Sequence, residues 1–207
     1  MPLVFSTGWA SGVNAYLVVL MLGLLGRLTD VAGVPDALTR TDVLGVAAVL
    51  YAMEFVADKI PYIDSTWDAI STAIRPTAGA VIALLVSGDA TSLEQAIYAT
   101  VGGGTALASH AVKAGTRLAI NTSPEPVTNV GASIGEDLTV ATVVLLAVYH
   151  PWVALGITVT LLVLGVTVLS LVLSRVRQGW RRRRERRASG RLGRADENRS
   201  QRTPSGS

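Results

Sequence analysis

One stretch of the chain, residues 54–76, constrains the fold more than any other, because charged side chains stand there between two apolar runs. Its charged groups are Glu54, Asp58, Lys59, Asp64, Asp68 and Arg75. The flanking runs have the length and apolar character of membrane spans. Ionisable groups at membrane depth are costly, so they are usually paired, face protein or water, and belong to functional sites. The sequence therefore predicts a membrane protein with a polar centre.

A second polar stretch, residues 110–137, repeats this plan with the signs exchanged. Its charged and titratable groups include His110, Lys113, Arg117, Glu136 and Asp137. Residues four apart share a helix face, so Glu54 lies beside Asp58 and Lys113 beside Arg117. We infer a pseudo-symmetric pair of hairpins whose charges compensate each other. The expected pairs are Glu54 or Asp58 with Lys113 or Arg117, and Arg75 with Glu136 or Asp137.

The apolar runs predict an all-α, polytopic transmembrane helical bundle of about six segments. These lie at about 7–26, 43–60, 65–87, 93–120, 128–148 and 153–173. Proline cannot continue the helical hydrogen-bond ladder, so Pro61, Pro76 and Pro124/Pro126 should end or break helices in the two polar hairpins. A five-span arrangement with one re-entrant segment is the alternative. Asn14, inside the first span, is expected to form an interhelical hydrogen bond, and the glycine triplet 102–104 a close helix contact.

The C-terminal tail differs from the rest of the chain in charge. Twelve of the 18 Lys and Arg lie at or beyond Arg175, with three acids among them. We predict a transmembrane domain over 1–176 and a disordered Arg-rich tail over 177–207. Positive charge beside a span favours the cytoplasmic side, which also puts the N-terminus inside. The tail should bind anionic lipid headgroups through Arg175, Arg177, Arg181, Arg182, Arg183, Arg184, Arg186 and Arg187.

The residue pattern gives little support to enzymatic chemistry. The chain has no cysteine, which excludes disulfides, cysteine–zinc sites and iron–sulfur clusters. Zinc-protease, nucleophile-elbow and Walker motifs are missing, so we predict no catalytic residue, cofactor or metal. Asp64 and Asp68, four apart, could hold Mg²⁺ beside Arg75 in a lipid-phosphate enzyme, or could equally be a helix cap and a salt-bridge partner. His110 could relay protons or simply be a hydrogen-bonded packing residue.

Several spaced motifs resemble one family. They are E-F-V-A-D-K-I-P at 54–61, D-S-T-W-D at 64–68, R-P-T-A-G-A at 75–80, H-A-V-K-A-G-T-R at 110–117 and N-T-S-P-E-P at 121–126. Together they resemble a family of bacterial integral membrane proteins catalogued only as a domain of unknown function. The resemblance covers about residues 8–155 and excludes the tail. It implies a multi-pass protein of the bacterial inner membrane, with no established activity.

Two functions of different class follow from these observations. The favoured one is a small transporter or channel with a charged vestibule on the cytoplasmic side. The alternative is a non-catalytic assembly or lipid-organising protein whose buried charges are structural ion pairs. Small-residue faces could also support a homo-oligomer. Because the basic charge is confined to the tail, the sequence does not indicate a nucleic-acid partner.

Overall fold

The computed structural model describes the backbone of residues 1–29, 31, 33–60, 63–121 and 126–200, with side chains over 1–29, 31, 33–60, 63–118, 129–175 and 178. Within these residues the secondary structure consists of seven α-helices. They are α1 (Pro2–Leu28), α2 (Asp36–Thr39), α3 (Thr41–Ala57), α4 (Ile63–Ser87), α5 (Ser92–Asn121), α6 (Pro126–Tyr149) and α7 (Pro151–Ser200). The all-α prediction is confirmed, and α2 falls between the first two predicted segments.

Four described stretches of helix are long and apolar enough to cross a membrane. They are Pro2–Leu28, Ile63–Ser87, Asn129–Tyr149 and Pro151–Arg175. These four spans suggest a multi-pass membrane protein. The other two predicted segments coincide with α3 and α5, which do not belong to this group, so the six-span arrangement stays a prediction.

The first helix, α1, occupies the centre of the bundle. In its apolar window 67% of the residues are buried, against 6% in the corresponding window of α7. Side chains of α1 such as Trp9, Val13 and Leu17 form the hydrophobic core with Ile82 of α4 and Val140 of α6. Because α1 packs against α3, α4, α5 and α6, a polar group on α1 is surrounded by protein.

Small residues allow α1, α4 and α5 to approach closely. A Cβ atom at Gly12 would clash with the main-chain carbonyl of Ala106, and one at Gly79 would clash with the carbonyl of Gly102. Side chains larger than hydrogen would therefore force these helices apart. The predicted close contact of the glycine triplet is confirmed at Gly102 and Gly103, which both face α4.

The helix break predicted at Pro76 is not found, whereas α6 does begin at Pro126. Pro76 lies inside α4, which is helical from Ile63 to Ser87. Membrane helices tolerate proline because neighbouring groups satisfy the freed backbone. The break occurs instead in α1, where Asn14 has φ −153° and ψ 95°. The predicted breaks at Pro61 and Pro124 lie outside the described residues.

The chain divides into two compact units, residues 1–166 and 167–207. The backbone of 177–200 is helical within α7, where the sequence predicts disorder. Ten of the 24 residues in this stretch are Arg, which is a strong helix former. Residues 201–207, and the side chains of the predicted headgroup-binding arginines from Arg177 onward, lie outside what is described, so lipid binding by the tail stays a prediction.

Candidate functional site

The break in α1 is built around the Asn14 side chain. Asn14 Oδ1 accepts the backbone N–H of Leu17 at 2.9 Å, the bond that caps the N-terminus of a helix. Asn14 Nδ2 donates to Asp137 Oδ1 at 3.1 Å. The predicted interhelical bond is thus confirmed, and the same side chain also caps the second half of α1.

The end of the first half of α1 is bound by two buried cations. Arg75 donates to the Gly12 carbonyl at 3.3 Å, and Lys113 donates to the Val13 carbonyl at 3.1 Å. A helix that ends leaves its last carbonyls without intrahelical donors. These carbonyls also carry the negative end of the helix dipole, which favours a nearby cation. Charged side chains from α4 and α5 therefore complete the broken helix.

Four helices bring their charged groups to the level of this break. We call the set the ion network: Glu54 and Asp58 at the end of α3, Asp64, Asp68 and Arg75 on α4, Lys113 and Arg117 on α5, and Glu136 on α6. All but Glu136 are buried, with exposed fractions from 0% to 5%. The Glu136 side chain is 22% exposed. The sequence predicted this gathering of charge from four segments.

Arg75 is the most completely surrounded cation of the ion network. Its Nη2 lies 2.5 Å from Glu54 Oε1, and its Nη1 lies 3.2 Å from Asp68 Oδ1. Nη1 also donates to His110 Nδ1 at 2.8 Å. The expected pairing of Arg75 with Glu136 or Asp137 is wrong. Two turns of α4 separate Asp68 from Arg75, which puts both on one helix face and makes this local pair close.

Lys113 and Arg117 pair with α3 as the charge-compensation argument expects. Lys113 Nζ lies 2.9 Å from Asp58 Oδ2, 3.5 Å from Glu54 Oε1 and 3.3 Å from Glu136 Oε2. Arg117 donates to both oxygens of Glu136, at 3.1 Å and 2.7 Å. This two-bond fork is the strong geometry that only arginine provides. Arg117 Nη1 also lies 4.0 Å from Asp64 Oδ1.

The ion network holds more negative than positive groups. Its five carboxylates, Glu54, Asp58, Asp64, Asp68 and Glu136, face three cations. Fully ionised, it would carry an excess of two negative charges in a buried site. Several buried carboxylate oxygens also accept no hydrogen bond from the described part of the chain: Glu54 Oε2, Asp58 Oδ1 and both oxygens of Asp68. Burial of unmatched charge is costly, so the network favours uptake of a positive species.

His110 is held in its neutral form by its neighbours. Arginine can only donate, so the bond from Arg75 makes His110 Nδ1 the acceptor. The proton then resides on Nε2 and is donated to Thr72 Oγ1 at 3.0 Å. Thr72 in turn donates to the Asp68 carbonyl. This arrangement corresponds to the hydrogen-bonded packing residue rather than to a relay that takes up a second proton.

Two further predicted residues lie beside the ion network. Asp137 accepts from Asn14 and, at 3.3 Å, from the Tyr51 hydroxyl. Lys59 donates to the Phe55 carbonyl at 2.8 Å and lies over the Phe55 ring. The donors to Asp137 are therefore neutral, and Lys59 contacts Phe55 of α3 and, at 3.4 Å, the Ser133 hydroxyl of α6.

Sequence reasoning missed several contributors to the site. Asn129 Oδ1 accepts from Arg117 at 3.1 Å, and Ser109 donates to the Trp9 carbonyl at 2.7 Å. The seven-residue spacing of Asn129 and Glu136 was a usable signal, because it places both on the face that holds Arg117. The sequence gives no signal for the Gly12 and Val13 carbonyls. They can accept bonds from Arg75 and Lys113 because the break in α1 leaves them without helical donors.

Two pockets reach the ion network on different faces of α5. The α4/α5 pocket, of about 300 Å³, is lined by Ser65, Asp68, Ala69, Thr72, Ala114, Gly115, Arg117 and Leu118. The α6/α7 pocket, of about 420 Å³, is mainly apolar and includes Lys113, Glu136, Leu161 and Leu162.

Among the described side chains, no group of three His, Asp or Glu has the arrangement of a metal site. Asp64 and Asp68, proposed above as one magnesium pair, face different arginines.

Long apolar helices packed around a broken central helix and a buried ion network suggest a multi-pass membrane protein. The chain belongs to the family described as a domain of unknown function (DUF4126), whose model matches residues 1–170. This match confirms the resemblance to a domain of unknown function. No curated protein and no solved structure matches the chain.

Proposed function

We propose that the protein is a small transporter or channel of the bacterial inner membrane, with six membrane segments and both termini in the cytoplasm. The observation that carries the proposal is the broken helix α1, whose free carbonyls meet Arg75 and Lys113 inside a buried ion network. Transporters commonly build midplane sites from discontinuous helices, where half-helix ends and unwound backbone meet the transported species.

The charge balance supports a cationic or protonic species. Five carboxylates of the ion network face three cations, so a bound positive charge would relieve an unfavourable excess. Ionisable residues of membrane segments that face the bundle interior commonly mark ion and proton pathways. A transported cation would therefore enter next to carboxylates, while the arginines and Lys113 limit how much positive charge the site accepts.

The pockets supply the two approaches that a pathway needs. The α4/α5 pocket ends at Asp68 and Arg117, and the α6/α7 pocket ends at Lys113 and Glu136. Close contacts link the two ends through Arg75, Glu54 and Lys113. The α4/α5 pocket includes Ser65 and Leu118, near the start of α4 and the end of α5, which is the cytoplasmic end in the predicted topology.

A specific observation favours the second candidate, a structural assembly or lipid-organising protein. Each network cation has two or more carboxylate neighbours within 4.0 Å, and Arg75 and Lys113 in addition reach α1 carbonyls. A network of this kind can lock helices together without handling a substrate. In that case water would not reach it.

Cysteine labelling separates the two functions, because the chain has no native cysteine. Ala69→Cys and Ala114→Cys place a thiol on opposite walls of the α4/α5 pocket. A membrane-impermeant reagent requires a hydrated thiolate, so the transporter proposal predicts labelling of both from the cytoplasmic side. Leu164→Cys, on an exposed apolar face of α7, is the control that should stay unlabelled in the bilayer.

A flux assay then tests transport directly. Proteoliposomes would be assayed with a pH dye and, separately, with dyes for monovalent cations. Ala69→Trp should block flux by filling the α4/α5 pocket, whereas Leu164→Trp should not. Flux no greater than in protein-free vesicles, together with an unlabelled pocket, would refute the transporter and leave the structural candidate.

A further inference from the structure

We propose that Asp68 is the proton-binding site of the ion network, reached from the α4/α5 pocket. This proposal deepens the proposed function and depends on it for any role in transport. Proton binding itself requires only the geometry around Asp68, so the two can fail separately.

The shortest ion pairs of the network leave two surplus acids, Asp68 and Asp64, of which Asp68 lines the α4/α5 pocket and Asp64 does not. Arg75 lies closest to Glu54, at 2.5 Å, and Lys113 closest to Asp58, at 2.9 Å. Arg117 forms its two-bond fork with Glu136. These three pairs are neutral as they stand, and each has at least one short hydrogen bond. Asp68 shares Arg75 at a longer distance, 3.2 Å.

The Asp68 carboxylate also lacks the bonds that stabilise an ionised form. Its side chain is 6% exposed, and neither of its oxygens accepts a hydrogen bond from the described residues. A buried carboxylate without donors is unfavourable, and protonation removes its charge. Asp58 has a short bond from Lys113, and Glu54 has one from Arg75. Of these three acids, Asp68 gains most from a proton.

The pocket gives Asp68 a route to water. Asp68 lines the α4/α5 pocket together with Ser65 and Thr72, whose hydroxyls suit a water chain. Neither Glu54 nor Asp58 lines either of the two pockets described here. A hydronium ion in pocket water transfers its proton to the carboxylate: one O–H bond of the hydronium breaks, one O–H bond forms on Asp68, and a water molecule is left.

The groups around Asp68 act in both directions. Positive charge that favours the ionised form comes from Arg75 on its own helix and from Lys113 on α5, while Asp58 of α3 and Glu136 of α6 oppose it. The other charged or titratable groups in and beside the network are Asp64 on α4, Glu54 and Tyr51 on α3, Lys59 just after α3, His110 and Arg117 on α5, Asp137 on α6, and Tyr16 on α1. Once Asp68 is protonated, Arg75 stays bound to Glu54, His110 and the Gly12 carbonyl. A proton on Asp68 would remove the attraction between Asp68 and Arg75. The Arg75 guanidinium would then interact more strongly with its other partners, which include the Gly12 carbonyl at the break in α1.

Infrared difference spectroscopy of the full chain in lipid vesicles tests the proposal. We expect a carboxylic-acid C=O band to appear as the pH is lowered. Labelling with ¹³C-aspartate should shift this band in the unaltered protein, which requires no variant. In Asp68→Asn the band should be lost, and in Asp68→Glu it should move; Asp137→Asn is the matched control and should retain it.

The outcomes separate the two proposals. A band that does not respond to ¹³C-aspartate, or that survives in a folded Asp68→Asn protein, would overturn the proton site. Circular dichroism and gel filtration establish whether the variant is folded, and the isotope result decides between Asp and Glu if it is not. A band assigned to Asp68 with no wild-type flux would keep the proton site and refute transport. Wild-type flux without a carboxylic-acid band would support transport and refute the proton site at Asp68.

Discussion

Removal of the Arg75 cation should be one of the most damaging single changes in the bundle. Arg75→Met keeps an apolar stem of similar length but leaves Glu54 and Asp68, with exposed fractions of 0% and 5%, without their closest cation. Breaking a buried pair in this way costs about 3–5 kcal/mol. That is a large part of the roughly 5–15 kcal/mol that holds a typical domain folded.

The assay is reversible unfolding in mixed detergent micelles, followed by tryptophan fluorescence. Trp9 reports on the core of α1 because it is buried there. Adding Glu54→Gln to Arg75→Met removes one orphaned charge and should recover part of the loss, with a coupling energy of about 0.5–3 kcal/mol. The loss should also shrink as the pH falls, because protonation neutralises the orphaned carboxylates. Arg40→Met, which breaks the exposed pair with Asp42, is the matched control and should leave stability unchanged.

One result would refute this reasoning. If Arg75→Met lost less than about 1 kcal/mol, the Arg75 pairs would behave like surface salt bridges. The ion network would then be hydrated in the resting protein, and the argument from unmatched buried charge would fail.

Further predictions concern helix packing, the break and the arginine fork. Gly12→Ala should lower the melting temperature, because its Cβ would clash with α5, whereas Gly45→Ala has open space and should raise it slightly. Asn14→Ala should cost about 1–2 kcal/mol of unfolding free energy through loss of the cap, and Asn14→Ser should restore part of it. Arg117→Lys should lower the melting temperature although the charge is kept, because lysine cannot form both bonds to Glu136.

The helices were predictable because their signals are local. Apolar runs long enough for a span and the polar starts of α4 and α6 are visible in the residue order, and six predicted segments coincide with α1 and α3–α7. Pairing partners were only partly predictable. The partners of Lys113 and Arg117 on α3 followed from charge compensation, but Arg75 found Asp68 on its own helix, seven residues away. Residues seven apart lie on the same face of a helix, so this spacing could have indicated the Asp68–Arg75 pair. Charge compensation between the two hairpins pointed to Glu136 and Asp137 instead.

By itself, the sequence determined that this chain forms long apolar helices and that charged groups from four of them gather at one level. Both results follow from the cost of placing backbone and charge in an apolar medium, which acts on every segment separately. Only the tertiary structure decided where the break lies. A proline in α4 is tolerated, whereas Asn14 interrupts α1, because Leu17, Asp137, Arg75 and Lys113 surround that point and satisfy the groups that the break exposes. Such compensation comes from residues distant in the chain and exists only once the helices have packed.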